Sequence, residues 1–311
     1  MPTMRRLAHA GLVLTVVSSA HMAHALGGDG PRAFFIVPAD TNILSAYYYW
    51  VESDLSVDGT FTIDGTLRND ILVAQYTRTF DVGGRNVGLF GLIPYVAVDG
   101  NLDVPSSPVN FETQAFGDIL IGGVIGLAGN PALTPAAYVT AKPGLEVGLF
   151  AKITLPTGEY DPDSAVNIGA NRYSFQLGLP VVWYLGESYL DPSLTTIEIT
   201  PAVLFFTDNE NPGGGAGSTG QDPLYTLEAH VTRNINSANW LSLDALYTWG
   251  GETSTDGDGA DNPREALGLG ASWNIAFNPQ TSLKVSYGTN VYANENGGEG
   301  QLVRLILTRT F

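Results

Sequence analysis

The stretch GQLVRLILTRTF, residues 300–311, alternates in character and ends on an aromatic residue. From Val303 onward the apolar positions include Leu305, Leu307 and Phe311, whereas the positions between them are mixed or polar. A period of two is typical of a β-strand whose two faces meet different surroundings. Soluble chains usually finish on a polar tail that buries little. This ending therefore indicates a strand that belongs to a larger sheet up to its last residue.

The same period recurs along the chain. LEVGLFAKITL (145–155), YTLEAHVTRN (225–234), NWLSLDALYTW (239–249) and TSLKVSYGTN (281–290) each place apolar residues on one face and charges, hydroxyls or glycines on the other. Strands of about ten residues with this alternation are typical of transmembrane barrels. The pattern predicts twelve strands, at about 43–54, 70–80, 87–98, 115–128, 144–156, 172–185, 194–207, 224–235, 239–250, 265–277, 281–292 and 301–311.

The predicted connections alternate in length. Short turns such as NSA (236–238) and NPQ (278–280) alternate with long polar loops such as 207–223 and 252–263. Short turns at one end and long loops at the other are the pattern of outer-membrane barrels. The connection at 128–144 is the exception, because it is long but falls at the end predicted to carry short turns.

Composition narrows the function classes. The chain has 311 residues, no Cys, and 31 Asp plus Glu against 14 Lys plus Arg, for a net charge of −17. Without Cys there is no disulfide framework and no thiolate metal site. A protein this acidic is not expected to bind nucleic acid, because that binding depends on Lys and Arg at the phosphates.

The first 25 residues have the three-part order of a secretory signal. Arg5 and Arg6 precede an apolar stretch, and Ala23-His24-Ala25 supplies a small-x-small cleavage site. The apolar stretch is too short for a spanning helix, which needs about 20 residues. We therefore expect a cleaved signal peptide at 1–25, a short segment at 26–42 and a barrel at 43–311. The segment contains RAFFIVP (32–38), which either enters the lumen or lies across its mouth.

These signals predict an all-β fold, a transmembrane antiparallel up-and-down β-barrel of about 12 strands. A soluble β-sandwich shares the period of two, with its apolar face packed inward. The signal peptide, the strand count, the loop asymmetry and the final Phe favour the barrel.

If the apolar faces of the strands contact lipid, the other faces line the lumen. Charges of both signs occur there, and we expect many of them to pair across strands because unpaired charges are costly in a low-dielectric interior. The predicted lumen residues are Glu146, Phe150, Lys152, Arg172, Glu198, Glu228, His230, Asp244, Lys284 and Arg304.

Several segments resemble a known family. LIPYVAV (92–98), GDILIGGVIGL (117–127), ITLPTGEYD (153–161) and the run 167–186 are similar to the outer-membrane family labelled "MetA-pathway of phenol degradation". The resemblance implies a barrel in the outer membrane of a Gram-negative bacterium, with membrane lipids as partners. It implies passive, porin-like uptake of small hydrophobic or aromatic compounds without a cofactor. The alternative is a structural or surface-interaction barrel with a closed lumen. The last strand resembles the C-terminal signal read by the assembly machinery, with Phe311 as its aromatic end.

Catalytic and metal chemistry have weaker support. Downstream of the predicted signal the sequence has one histidine, His230, beside Glu228 on a polar face; we interpret it as part of a lumen hydrogen-bond network rather than as a catalytic base. GAGSTG (215–220) fits a glycine-rich phosphate motif but opens no predicted helix. Asp256, Asp258 and Asp261 are spaced partly like a calcium loop, but the rest of that motif is missing. We therefore expect no enzyme activity, and a cation at these aspartates only as a secondary possibility.

Overall fold

The computed structural model describes residues 14–15, 27–57, 63–102, 109–164 and 166–311. It shows a closed barrel of 12 antiparallel strands, which confirms the predicted fold class. The barrel closes where the last strand pairs with the first, from Gly300 opposite Ser53 to Thr310 opposite Ile43. The C-terminal stretch is thus an interior part of a continuous wall, as its alternation predicts.

The wall strands are labelled β1 to β12 in chain order. They span Asn42–Val57 (β1), Ile63–Val82 (β2), Arg85–Leu102 (β3), Val109–Phe116 continued by Ile119–Ala128 (β4), Leu145–Leu155 (β5), Ser174–Gly178 continued by Val181–Leu185 (β6), Thr195–Phe206 (β7), Leu224–Asn234 (β8), Asn239–Gly250 (β9), Arg264–Asn278 (β10), Thr281–Ala293 (β11) and Gly300–Thr310 (β12). Helix α1 spans Pro135–Thr140. Outside the wall, Leu14–Thr15 pairs in parallel with Val166–Asn167. Thr219–Gln221, Thr253–Thr255 and Asp258–Gly259 form a small sheet between two loops.

The two ends of the barrel differ. At the short-turn end, β2 joins β3 through Gly83 and Gly84, and β10 joins β11 through two residues. The opposite, long-loop end carries 156–173, 207–223 and 251–263, whose short strands pair between loops. The long connection 129–144 does lie at the short-turn end, where α1 begins at the cap Thr134.

Two strands that the sequence predicts as continuous are interrupted. The prediction of an unbroken fourth strand at 115–128 is wrong, because the strand is interrupted at Gly117 and Asp118, although the N–H of Gly117 still donates to Pro94 O of β3 at 3.0 Å. The fully buried carboxylate of Asp118 accepts hydrogen bonds from the backbone N–H groups of Gly158 (2.7 Å) and Ala170 (2.9 Å), both in the loop after β5. The sixth strand breaks before Pro180, which has no N–H to donate to a ladder. The first break fixes the β5–β6 loop against the wall.

The outer face of the wall is apolar. Leucines and aromatic side chains that the alternation assigns to this face are exposed, up to 72% at Leu243. Lipid requires an apolar outer band. It also requires a closed wall, because the backbone groups of a closed wall form their hydrogen bonds between strands. Among the described residues, no helix is long and apolar enough to cross a membrane. The predicted signal peptide, apart from Leu14–Thr15, lies outside the described residues and remains a prediction.

Candidate functional site in the barrel lumen

One side of the lumen carries a buried cluster of charges. We call the charged and polar inner-face residues of β7 to β12 the charged wall. His230 Nδ1 lies 2.7 Å from Asp244 Oδ1, directly across the β8–β9 pair. Its Nε2 lies 3.0 Å from Glu228 Oε1, as an ion-pair contact without hydrogen-bond geometry. Ser272 donates to the other oxygen of Asp244 at 2.6 Å. Both ring nitrogens of His230 therefore face carboxylates, and Ser272 bonds Asp244 rather than the imidazole. This arrangement suits an ion network rather than an activated nucleophile.

The chain before β1 enters the lumen and contacts the charged wall. We call residues 27–41 the N-terminal segment. The backbone N–H groups of Asp29 and Gly30 donate to the carboxylate of Glu228, at 3.1 and 2.6 Å. The N–H of Arg32 donates to Glu198 at 2.8 Å. These bonds resolve the two alternatives for RAFFIVP, because the segment lies inside the barrel rather than only across its mouth.

Two wall cations bond the carbonyl groups of the same segment. Arg304 Nη1 donates to Gly28 O at 2.8 Å, and Lys284 Nζ donates to Pro31 O at 2.9 Å. The wall therefore supplies acceptors to the N–H groups of the segment and donors to its carbonyls. A backbone without secondary structure of its own is thereby satisfied inside the lumen, as burial requires.

Two glycines allow this close approach. A Cβ at Gly28 would lie 2.7 Å from the carboxylate of Glu228, and a Cβ at Gly30 would lie 2.2 Å from Arg304 Nη2. Gly30 also has φ +86°, a conformation that L side chains rarely adopt. The segment can reach the charged wall only because these two positions lack side chains.

An ion pair and an aromatic stack hold the segment to β5. Lys152 Nζ lies 2.6 Å from Asp29 Oδ1. The Phe34 ring stacks on the fully buried Phe150 ring, with centroids 5.0 Å apart and planes at 6°. Lys152 Nζ is also 4.6 Å from the centre of the Phe150 ring. Phe150 and Lys152 therefore place an aromatic ring and a cation side by side on the inner face of β5. Both groups bind aromatic rings.

The next side chains of the segment pack against further rings. The guanidinium of Arg32 lies 4.6 Å from the centre of the Trp240 ring and bonds Thr232 through Nε and Nη2. Burial lowers the pKa of Arg32 to about 10, which still leaves it charged at neutral pH. The Phe35 ring packs on Tyr184 at 4.8 Å.

The short-turn end of the lumen is covered. Ile36 is buried with Val182 and Leu194 in one apolar cluster. Tyr138 of α1 stacks on Tyr189 at 4.8 Å, and burial raises the pKa of Tyr138 to about 12. The connection that departs from the short-turn pattern thus forms part of a cover over this mouth.

The opposite side of the lumen is apolar. We call it the apolar wall: inner-face residues of β1 to β4 with one residue of β12, all under 9% exposed. They are Tyr49, Val51, Leu67, Ile71, Val73, Val96, Val98, Ala115 and Leu302. Ile168 of the β5–β6 loop packs into the same cluster from the long-loop end. The predicted lumen set omits this wall.

A cavity of about 520 Å³ lies within the lumen. Tyr47, Tyr49 and Val73 line it from the strands, and Phe34 lines it from the N-terminal segment. Lys284 and Glu228 are also part of its lining. The cavity therefore combines an apolar, aromatic surface with a few charged groups, the usual composition of a small-molecule site.

The ten predicted lumen residues fall into separate groups. Six of them lie on β7 to β12 and belong to the charged wall: Glu198, Glu228, His230, Asp244, Lys284 and Arg304. Phe150 and Lys152 of β5 contact the N-terminal segment. Glu146 of β5 accepts hydrogen bonds from Tyr189 and Asn130, and Arg172, just before β6, donates to Gln221 through Nη2.

The three aspartates proposed for a cation do not converge. Within the part of the chain that the structure describes, no group of three or more His, Asp and Glu side chains is placed to hold a metal ion. Asp256 instead accepts hydrogen bonds from the backbone N–H groups of Gly217 and Ser218, at 2.8 and 2.9 Å. Asp258 and Asp261 are exposed. GAGSTG (215–220) lies in this loop pair, away from any helix.

Comparison with known proteins supports the fold assignment. The family model described as "Putative MetA-pathway of phenol degradation" matches residues 53–304. The COG4313 outer membrane channel from Pseudomonas putida F1 is 21% identical, with a TM-score of 0.76, over 91% of this chain and 99% of that one. The translocator domain of the autotransporter NalP from Neisseria meningitidis is 11% identical, with a TM-score of 0.50, over 88% and 90%. No curated protein sequence gives a match.

Proposed function

Because the chain belongs to the MetA-pathway phenol-degradation family, we propose that it is an outer-membrane channel for passive uptake of small hydrophobic or aromatic compounds. The observation that carries this proposal is the cavity of about 520 Å³ between an aromatic segment and the apolar wall. A cavity of about 150 Å³ is enough to bind benzene. The lumen therefore has room for a monoaromatic molecule.

The outer surface supports the location in a membrane. A closed wall with an apolar outer band belongs in lipid, and the similar structure from Pseudomonas putida is described as an outer membrane channel. The loop asymmetry favours an orientation with the long loops outside the cell and the short turns in the periplasm. We expect a secretory signal to direct the chain there, and the strand ending in Phe311 to be read by the assembly machinery.

Transport by this route needs no cofactor, because the substrate gradient supplies the driving force. The apolar wall binds the ring, while the polar groups of the lumen keep the path hydrated. The N-terminal segment fills part of the section and the short-turn mouth is covered by the Ile36 cluster. A solute must therefore pass beside the segment or displace it.

A barrel with a closed lumen is the second candidate. It is favoured by the number of bonds that fix the N-terminal segment and by the packing of Tyr138 on Tyr189 at one mouth. In that case the protein acts through its outer surface and loops, and the cavity is a space in the lumen that no substrate crosses.

Uptake measurements separate the two candidates. Cells or liposomes with and without the protein are given labelled monoaromatic compounds, with a hydrophilic sugar of similar size as control. A channel raises uptake of the aromatic compound well above that of the sugar. Equal aromatic uptake with and without the protein, at matched protein levels, favours the closed barrel.

A further inference from the structure

The two cations that hold the N-terminal segment have no carboxylate partner. Among the described residues, neither Lys284 nor Arg304 has a carboxylate oxygen within 4.0 Å, whereas Lys152 is paired with Asp29. Arg304 is only 2% exposed, and its Nε has no hydrogen-bond partner. A buried cation normally has a partner of opposite charge.

The two cations are neighbours on the wall. Lys284 of β11 pairs with Ile306 of β12, two positions from Arg304. The two side chains therefore occupy diagonal positions on the inner face of adjacent strands, which lie about 7–8 Å apart. Lys284 and Arg304 repel each other, and the carboxylates of Glu198, Glu228 and Asp244 offset this repulsion only from beyond 4.0 Å. An anion bound between the two cations would offset it by direct contact.

In the structure, uncharged carbonyl groups occupy the position that such an anion would take. The carbonyl oxygens of Gly28 and Pro31 accept the bonds of Arg304 and Lys284 at 2.8 and 2.9 Å. A carboxylate oxygen at the same donors adds the attraction of opposite charges to bonds that a carbonyl oxygen makes only with its dipole. An anion can therefore replace the segment's carbonyl groups as the acceptor of the bonds from Lys284 and Arg304.

Aromatic surface adjoins the same cations. Arg304 lies 6.0 Å from the centre of the Tyr49 ring, and Lys284 Nζ lies 5.9 Å from the centre of the Trp240 ring. Tyr49 stacks parallel to Tyr47, and both line the cavity with Lys284. A site for a flat ring is therefore next to donors for an acid group.

We propose that the lumen site takes aromatic carboxylates, with the acid group on Lys284 and Arg304 and the ring against Tyr47 and Tyr49, in place of the carbonyls of Gly28 and Pro31. This inference rests on the proposed function and narrows its substrate class from aromatic compounds in general to those that carry one acid group. It also gives the N-terminal segment a role as the occupant that the substrate displaces.

The test compares benzoate with two molecules that each lack one feature. Benzyl alcohol keeps the ring without the charge, and acetate keeps the carboxylate without the ring. Binding to the purified full-length mature protein in detergent is measured by calorimetry, and uptake is measured in proteoliposomes. Benzoate is expected to bind about tenfold more tightly than either of the others, since only benzoate combines the ring contacts with a charge-assisted bond.

Substitutions of Lys284 and Arg304 locate the acid group. Lys284→Gln is expected to weaken benzoate binding about tenfold and leave benzyl alcohol unchanged. Lys142→Gln is the matched control, because Lys142 is exposed in the β4–β5 connection and pairs with Glu187. Arg304→Gln is expected to weaken benzoate binding in the same way. If it fails to fold, Arg304→Lys keeps the charge and should retain part of the preference for benzoate.

The outcomes distinguish this inference from the proposed function. Equal binding of benzoate and benzyl alcohol, or an equal loss of both in Lys284→Gln, overturns the carboxylate site while leaving an aromatic channel intact. Acetate binding as tight as benzoate shows a general anion site and also overturns it. Failure of every aromatic compound to bind or enter removes the proposed function itself.

Discussion

Lys152 Nζ lies 2.6 Å from Asp29 Oδ1, so the wall of the barrel is ion-paired to a segment that precedes its first strand. The side chain of Lys152 is 8% exposed and that of Asp29 is 25% exposed, so water screens the pair only in part. The pair links the chain entering the lumen to β5, on the side of the Phe34 and Phe150 stack.

Removing one partner of this pair should destabilise the protein more than removing both. We expect Lys152→Ala to lower the free energy of unfolding by about 1–3 kcal/mol, because Asp29 is left as a partly buried unpaired charge. The double variant Asp29→Ala, Lys152→Ala should recover part of that loss. Urea unfolding in detergent measures the cycle. Additive effects of the two changes would show that the ion pair contributes nothing to stability.

A side chain at Gly30 should release the N-terminal segment. Gly30→Ala places a Cβ 2.2 Å from Arg304 Nη2, at φ +86°. We expect faster trypsin cleavage after Arg32 and a higher single-channel conductance. Gly215→Ala is the matched control, because Gly215 has φ +87° but no atom within 4 Å of the added Cβ. If both variants behave alike, the contact with Arg304 does not hold the segment.

A charge on the outer face should impair insertion. Leu149 lies on the outer face of β5 and is 38% exposed. We expect Leu149→Arg to cost about 2–4 kcal/mol of folding into a bilayer, because its guanidinium faces lipid near the middle of the membrane. Leu190→Arg is the control, since Leu190 is 53% exposed in the β6–β7 connection beyond the wall. Normal insertion of Leu149→Arg would reverse the assignment of inner and outer faces.

The terminal Phe should matter for assembly rather than for the folded wall. Phe311 is 63% exposed, and its backbone already pairs with Asn42. We expect Phe311→Ala to slow assembly in cells while folding into pure lipid vesicles stays nearly unchanged. Phe277→Ala provides the control, as Phe277 is a similarly exposed aromatic residue in β10. Equal assembly of both variants in cells would remove the proposed signal.

The sequence predicts the wall well where each strand has one apolar and one polar face. In β5 and β8 the alternation alone places Lys152 and His230 on the inner face. It fails in β2, where Ile71 and Val73 face the lumen while Leu72 faces outward. Both faces are apolar there, so the period of two carries no signal for the inner one.

The site depends on contacts that no local pattern encodes. Asp29 and Glu228 are 199 positions apart, yet their contact decides where the N-terminal segment lies. Gly28 and Gly30 are a weak signal of close packing in GGDG (27–30), which a turn would explain equally well. The interruption of β4 is also set by a distant partner, because Asp118 bonds the loop after β5.

The most direct test of the channel is to fill its cavity. Val73 lines the cavity and is 4% exposed, whereas the next residue, Ala74, is exposed on the outer face. Uptake of a labelled monoaromatic compound into proteoliposomes is compared for Val73→Trp and Ala74→Trp at equal amounts of folded barrel. We expect Val73→Trp to lower uptake several-fold and Ala74→Trp to match the unmodified protein. Uptake that is unchanged by Val73→Trp would contradict passage of the substrate through the lumen cavity.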